Sequence, residues 1–278
     1  MKSFLIKYSI VLFVTVGIFT QFIACGSENY KAEVDGAGGS PAISDDPTSQ
    51  YFGIHSANGW TNLPIPVQFG IDYSDAQIKL VRSAMEVWEM AVGRNLFEET
   101  SLSNKNGDGF DDLYSSLDDD ESAHYIRFDW DQTGKPTAVL ATAIWNIPGS
   151  NPDAIDAGDI HYNSEHYTLG DSLNDEAEED REIVDLWSLA LHELGHFIGL
   201  AHVSEEVDGF SIMNPTLFIG PGMYNRQLSE GDLNRVQQIY GCEGSACDKE
   251  ATLAAIEDKV RESEEIYESE TEYENSAH

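Results

Sequence analysis

Apolar and polar positions follow several distinct rhythms along this chain, and each rhythm predicts an element. Lys2 and Lys7 flank the start of a largely apolar run that extends from Tyr8 to Ala24. A charged start followed by an apolar core has the form of an export signal over residues 1–24. The run is slightly short for a spanning helix, which places an uncleaved membrane anchor second. Residues 25–50 show no period and are rich in Gly, Ser, Ala, Asp and Pro, the composition of a flexible tether. Residues 63–71 read as a first strand with prolines at its start. Ile78, Val81, Met85, Trp88 and Val92 then recur at helical spacing, predicting a helix to about Val92, capped by Asp72 or Ser74, with that stripe on a core. Residues 125–130 alternate like a half-buried strand, and 138–145 and 159–162 predict two more, punctuated by Gly134-Lys135-Pro136 and Pro148-Gly149. An acidic stretch at 175–182 leads into a helix over about 183–200, as suits a helix N-terminus. Residues 228–241 form an amphipathic pattern closed by Gly241. From Cys242 the chain is an acidic tail, partly helical from Glu250 to about Tyr267, solvated or partner-binding.

With 278 residues and a formal net charge of −35, the chain is long enough for one large domain with extensions. That charge repels phosphates and argues against nucleic acid as a partner. It offers carboxylates to Ca²⁺, although a solvated, self-repelling surface is the commoner meaning of such acidity. Asn104, Asn106, Asp108 and Asp112 place oxygen donors like the front of a calcium loop, with glycine at the tight turn. Ser115 stands where the closing carboxylate belongs, so the stretch reads equally as an acidic surface turn. Three cysteines are too few for a disulfide framework. Cys242 and Cys247 are spaced for one disulfide across a short loop, favoured in an exported protein, with free thiols as the alternative. Phe22-Ile23-Ala24-Cys25-Gly26 resembles a bacterial lipobox, where the signal is cut before a cysteine that receives lipid. Phe22 departs from the usual Leu there.

The densest chemistry lies in residues 192–202, which read H-E-x-x-H-x-x-G-x-x-H. On a helix, His192 and His196 sit at i and i+4, so both imidazoles leave one face. Two neutral ring nitrogens at that separation can share one Zn²⁺. Gly199 can adopt φ > 0, end the helix and turn the chain so that His202 reaches the same ion. Three protein ligands leave a tetrahedral ion one open position, the mark of a catalytic site. Glu193 should stand beside that position and take a proton from a water whose pKa the metal lowers to about 7. The bland alternative is an amphipathic core helix with solvated histidines. The five fixed positions weigh against it.

Together with Met213 in Ser211-Ile212-Met213-Asn214-Pro215, this pattern resembles the metzincin zinc peptidases, and among them the matrixin (matrix metalloproteinase) branch, over roughly residues 51–241. The resemblance implies an α+β catalytic domain, with a twisted mixed β-sheet, a long active-site helix, and a C-terminal helix below the cleft. It implies His192, His196 and His202 as ligands of one catalytic zinc, Glu193 as general base, and Met213 packed beneath the histidines without ligating. Pro215 stands where other branches carry a fifth-ligand tyrosine. Pro215, Thr216 and Leu217 should wall the pocket for the residue after the cut, with Ser188 at its base. The strand containing Leu140 and Ala141 should pair with an extended substrate. Val203 replaces the usual Ser or Thr, and Thr142 replaces one expected structural-zinc histidine, leaving His161 as the match. Any further metal should therefore be calcium. The cysteine motif of matrix metalloproteinase propeptides is not found.

The implied activity is zinc-dependent endopeptidase: hydrolysis of peptide bonds in extracellular proteins by zinc-activated water. A monomer is expected, lipid-anchored at Cys25 in the cell envelope, or else secreted. Two rivals stand beside it. A non-catalytic zinc- or calcium-binding surface lipoprotein would not need Glu193, which is present. A calcium-dependent adhesion module would need repeated calcium loops, and one imperfect loop is visible.

Overall fold

The computed structural model describes residues 23–24, 26–29, 46, 48–50, 52–100, 107–109, 122–148, 151 and 153–276, with side chains from Asp46 to Glu264. Its strands are β1 (Ile23–Ala24), β2 (Gly26–Asn29), β3 (Gly59–Trp60), β4 (Ile65–Phe69), β5 (Phe97–Glu99), β6 (Ser122–Arg127), β7 (Ala141–Asn146), β8 (Ala154–Ile155), β9 (Ala157–Asn163), β10 (Tyr167–Gly170), β11 (Glu182–Asp185) and β12 (Thr216–Leu217). Its helices are α1 (Asp75–Val92), α2 (Leu186–Phe197), α3 (Glu230–Tyr240) and α4 (Lys249–Ser276). Cys25, residues 30–45, Asn104, Asn106 and Asp112 lie outside the described residues, as does most of the signal. Among the described residues no helix is long and apolar enough to cross a membrane.

The main sheet has the order β2-β7-β9-β6-β4-β5. Strands β4, β5, β6 and β9 run parallel, while β7 runs against β9 and β2 follows β7. Helix α1 begins at a capping box in which Ser74 and Gln77 exchange hydrogen bonds, and ends at Gly93 in the left-handed region, φ 73°. Its stripe Ile78, Val81, Met85, Trp88 and Val92 is buried against the sheet and α2. The Trp88 indole N–H donates to the Leu191 carbonyl at 3.0 Å, fixing α1 against the middle of α2.

Several boundaries differ from the sequence pattern. Helix α2 starts at Leu186, because 182–185 pairs in parallel with β10 and the Asp185 carboxylate caps the helix through the Ser188 N–H. Strand β6 is buried at every position rather than at alternate ones. Its outer face is covered: Gly107 packs on Tyr125 and Arg127, and Asp108 accepts from the Phe128 N–H at 2.9 Å. Gly26–Asn29, expected within the tether, is a strand on the edge of β7. Cys242 and Cys247 form a disulfide. The following helix α4 is not a detached tail: Ile256 and Val260 belong to the core and Leu253 packs against it.

Candidate metal centre and cleft

Every residue of α2 is buried, so its two histidines and Glu193 are held within packed structure. The helix ends in a Schellman arrangement: the Leu200 N–H donates to Gly195 C=O at 2.9 Å and the Gly199 N–H to His196 C=O at 3.0 Å. Gly199 has φ 110°, and a Cβ there would press on the Ser56 carbonyl at 2.8 Å. Only glycine serves at this turn.

The turn is clamped from a distance. The His55 Nε2–H donates to His196 C=O at 2.7 Å, and the Trp60 indole N–H to Phe197 C=O at 2.7 Å. The Tyr240 hydroxyl donates to Ile198 C=O at 2.9 Å and accepts from the Trp60 N–H. The backbone N–H groups of His55 and Ser56 take Gly199 C=O. Four consecutive carbonyls at the helix end, those of residues 196–199, thus accept from groups outside the helix, and the segment carrying His202 is fixed in place.

The three Nε2 atoms converge, 3.0 Å apart between His196 and His202 and 3.3 Å between His202 and His192. The Nδ1–H of His192 donates to Ile212 C=O at 2.6 Å, and that of His196 to Leu200 C=O at 2.9 Å. These bonds set the tautomer of both rings, so their inward nitrogens carry lone pairs. Lone pairs this close repel unless a cation lies among them. Tetrahedral zinc, with Zn–N of ~2.05 Å, holds its nitrogens ~3.3 Å apart, so the donor set fits that ion. Burial, reinforced by the neighbouring rings at His192 and His196, lowers the ligands' pKa values: His192 to about 3, His202 to about 4, and His196 well below its usual value. All three are neutral at physiological pH, the form that ligates.

Met213 is fully buried beneath the site, and a Cβ on Gly195 would collide with its sulfur. The turn is held by buried Asp232 of α3, which accepts from the Ser211 hydroxyl at 2.5 Å and the Ile212 N–H at 2.8 Å. Asp232 pairs in turn with Arg235 at 2.7 Å. The carbonyl of that same Ile212 orients His192.

Residues 72–241 match the family model described as matrixin. The chain belongs to the matrixin family. Human matrix metalloproteinase-25 is 31% identical over 165 residues, covering 58% of this chain and 25% of that protein. Rat stromelysin-1 is 27% identical over 162 residues, covering 58% of this chain and 28% of its own. The chain thus spans about a quarter of the length of the curated relatives it matches. A solved hatching-enzyme zinc protease from medaka, high choriolytic enzyme 1, aligns over 67% of this chain and 96% of its own at 12% identity and a TM-score of 0.32, a level at which no argument rests on the likeness.

In this matrixin the residues expected to wall a substrate cleft are placed as follows. Leu140 and Ala141 are buried at the start of β7. Thr216–Leu217 forms β12, with Pro215 half-buried before it. Ser188 is buried one turn before His192, its hydroxyl donating to Asp185 at 2.6 Å and accepting from the Asn225 N–H at 2.7 Å. The edge of β7 is taken by the chain itself: β2 pairs with it in parallel, and β1 pairs antiparallel with β12. Thr142 and His161 face each other in the β7–β9 register, both buried. Asp108 is engaged with the backbone of Phe128. A second group of metal-type donors, Asp131, Glu165 and His166, lies at the surface, with His166 Nε2 donating to Asp131 at 2.9 Å. His55, Trp60, Tyr240, Asp185, Arg226 and Asp232 support the centre without having been legible in the motif. The signal that could have found the last three is an isolated charge within or beside an apolar pattern, which must be paired if buried.

Proposed function

We propose that this matrixin is a zinc-dependent endopeptidase acting on exported or extracellular proteins. The observation that carries the reading is the convergence of three tautomer-fixed imidazoles with Glu193 adjacent in the same buried helix. His192, His196 and His202 would hold a zinc ion, which would supply Lewis-acid charge for the scissile carbonyl and for the attacking water. Glu193 accepts the proton of that water at its carboxylate and delivers it to the leaving amine. Once β2 leaves its edge, strand β7 would supply backbone groups that hold an extended peptide as an added strand. Met213 and Asp232 keep His192 in its orientation.

Ser188 at the base and Pro215, Thr216 and Leu217 at the wall support a pocket for the residue after the cut. A small base residue leaves that pocket deep, so large apolar side chains such as Leu, Met or Phe should be preferred. Mapping cleavage sites in a peptide library, with and without a zinc chelator, tests both parts. The expected result is chelator-sensitive cutting before Leu, Met or Phe. A preference for small or charged residues would remove the pocket assignment, and chelator-resistant cutting would remove the zinc.

The lipobox-like stretch supports attachment to the membrane through lipid on Cys25, and intact mass of the mature chain decides it against a plain secretory signal. Calcium at Asn104, Asn106, Asp108 and Asp112 would show as one bound calcium in elemental analysis, beside a single zinc.

A further inference from the structure

Residues 53–56 lie upstream of the 72–241 that match the matrixin model, yet they run antiparallel to the segment that leads to the third histidine. The Ala201 N–H donates to Gly53 C=O at 2.9 Å, and the His55 N–H donates to Gly199 C=O at 2.9 Å. Between those two bonds Ile54 bridges Leu200, whose carbonyl orients the His196 ring. On the other side of His202, the Val203 N–H donates to Met213 C=O at 3.0 Å. His202 is therefore held between two backbone ties, and the tie at 53–56 also bears on His196.

The His55 side chain makes that second connection direct. Its Nε2–H donates to the carbonyl of His196 itself at 2.7 Å. Residue 55 thus holds residue 196 through its ring and residue 199 through its backbone, within the turn that separates two of the three histidines. The ring is kept in plane by Trp145 of β7, which stacks on it with centroids 4.1 Å apart and planes 14° from parallel. His55 Nδ1 and Trp145 Nε1 are both shut off from solvent, with no hydrogen-bond partner among the described residues. Leaving a buried polar atom unsatisfied is destabilising, and a phenyl ring at position 55 would stack on Trp145 without leaving Nδ1 in that state. What a phenyl ring cannot supply is the N–H at the His196 carbonyl.

We propose that His55 is a positioning residue of the metal centre, aimed by Trp145 and acting through the His196 carbonyl. It fixes the spacing of the His196 and His202 nitrogens, and with it the geometry offered to the ion. Outer groups that orient metal ligands typically contribute about 10- to 100-fold in metal affinity. This inference rests on the zinc part of the reading above and not on peptide cleavage.

The test uses the full chain loaded with zinc, or with Co²⁺, whose visible absorption reports ligand geometry. His55→Phe keeps the stack and removes the donor. His55→Gln places an amide N–H as far along the side chain as Nε2. Trp145→Phe keeps the donor and weakens the stack. Val87→Ala removes buried volume from α1 and touches none of these bonds. Measured against a competing chelator, His55→Phe should raise the zinc dissociation constant about 10- to 100-fold and shift the Co²⁺ bands. His55→Gln should come back to within about threefold of the wild type, with Trp145→Phe between the two. Val87→Ala should lower the melting temperature and leave affinity and bands unchanged. Wild-type affinity and bands in His55→Phe would overturn the proposal. So would an equal loss in Val87→Ala, because any loosened core would then shed the ion. If His55→Phe does not fold, Trp145→Phe decides: weaker zinc with shifted bands supports the role, and unchanged values overturn it. A wild-type chain that holds no zinc would remove the zinc reading itself, whereas zinc in the wild type with unmoved variants removes only this proposal.

Discussion

His124 illustrates what single residues carry in this molecule. It is fully buried between Phe69 and Phe197, neither ring nitrogen has a hydrogen-bond partner among the described residues, and burial pushes its pKa down to about 3. In the unfolded chain the same imidazole titrates near 6.5, so below that pH the unfolded state binds a proton that the folded state refuses. Stability is fully present above pH 6.5 and is lost as pH falls, by about 2 kcal/mol at pH 5 from this residue alone. His124→Phe should flatten the stability profile between pH 6.5 and 5 by that amount in denaturant titrations. Equal slopes for the two proteins would contradict the account. At this scale the zinc motif was legible because ligation demands fixed residue types at fixed spacing. The residues that orient it were not. Trp60 and the carbonyl it takes at Phe197 are 137 positions apart, and nothing local in residues 53–60 announces that role.

Elements were legible where one face is buried and the other wet. The α1 stripe from Ile78 to Val92 is such a case, and its Ser74 cap stands in the sequence pattern. The start of α2 was not legible, because 183–185 is drawn into a strand by its pairing with β10, a tertiary preference that overrides helical pattern. The docking of α4 was obscured because its large core-packing residues, Leu253, Ile256 and Val260, sit within a strongly acidic stretch. The turn after α2 yields a test at this scale. Tyr240→Phe leaves the Ile198 carbonyl and the Trp60 N–H without their shared partner, an expected cost of about 1–3 kcal/mol in unfolding free energy. Zinc retention against a competing chelator should weaken in step, since that turn carries His202. Unchanged stability and unchanged retention would show that the clamp does not hold the third ligand.

For the whole molecule, the sheet, α1, the zinc helix and α3 form the frame, and β1 and β2 lie along the two walls expected to receive a substrate. Cleavage of a signal before Cys25 would remove β1 and leave β2 on the edge of β7. A chain beginning at residue 46 should therefore cut peptides faster than the full chain, about tenfold if the covered form holds about nine molecules in ten. Identical rates would show that the segment does not compete with substrate. No local pattern in a Gly- and Ser-rich stretch revealed this pairing, because it is completed by an edge more than a hundred residues away. The measurement closest to the central claim is zinc content and turnover of Glu193→Gln measured on the same sample. The account predicts one zinc per chain, as in the wild type, with kcat lower by about 100- to 10,000-fold. Wild-type turnover in that variant would contradict the role of Glu193. Loss of the zinc with it would mean that Glu193 helps hold the metal, and that the three histidines are not the complete ligand set.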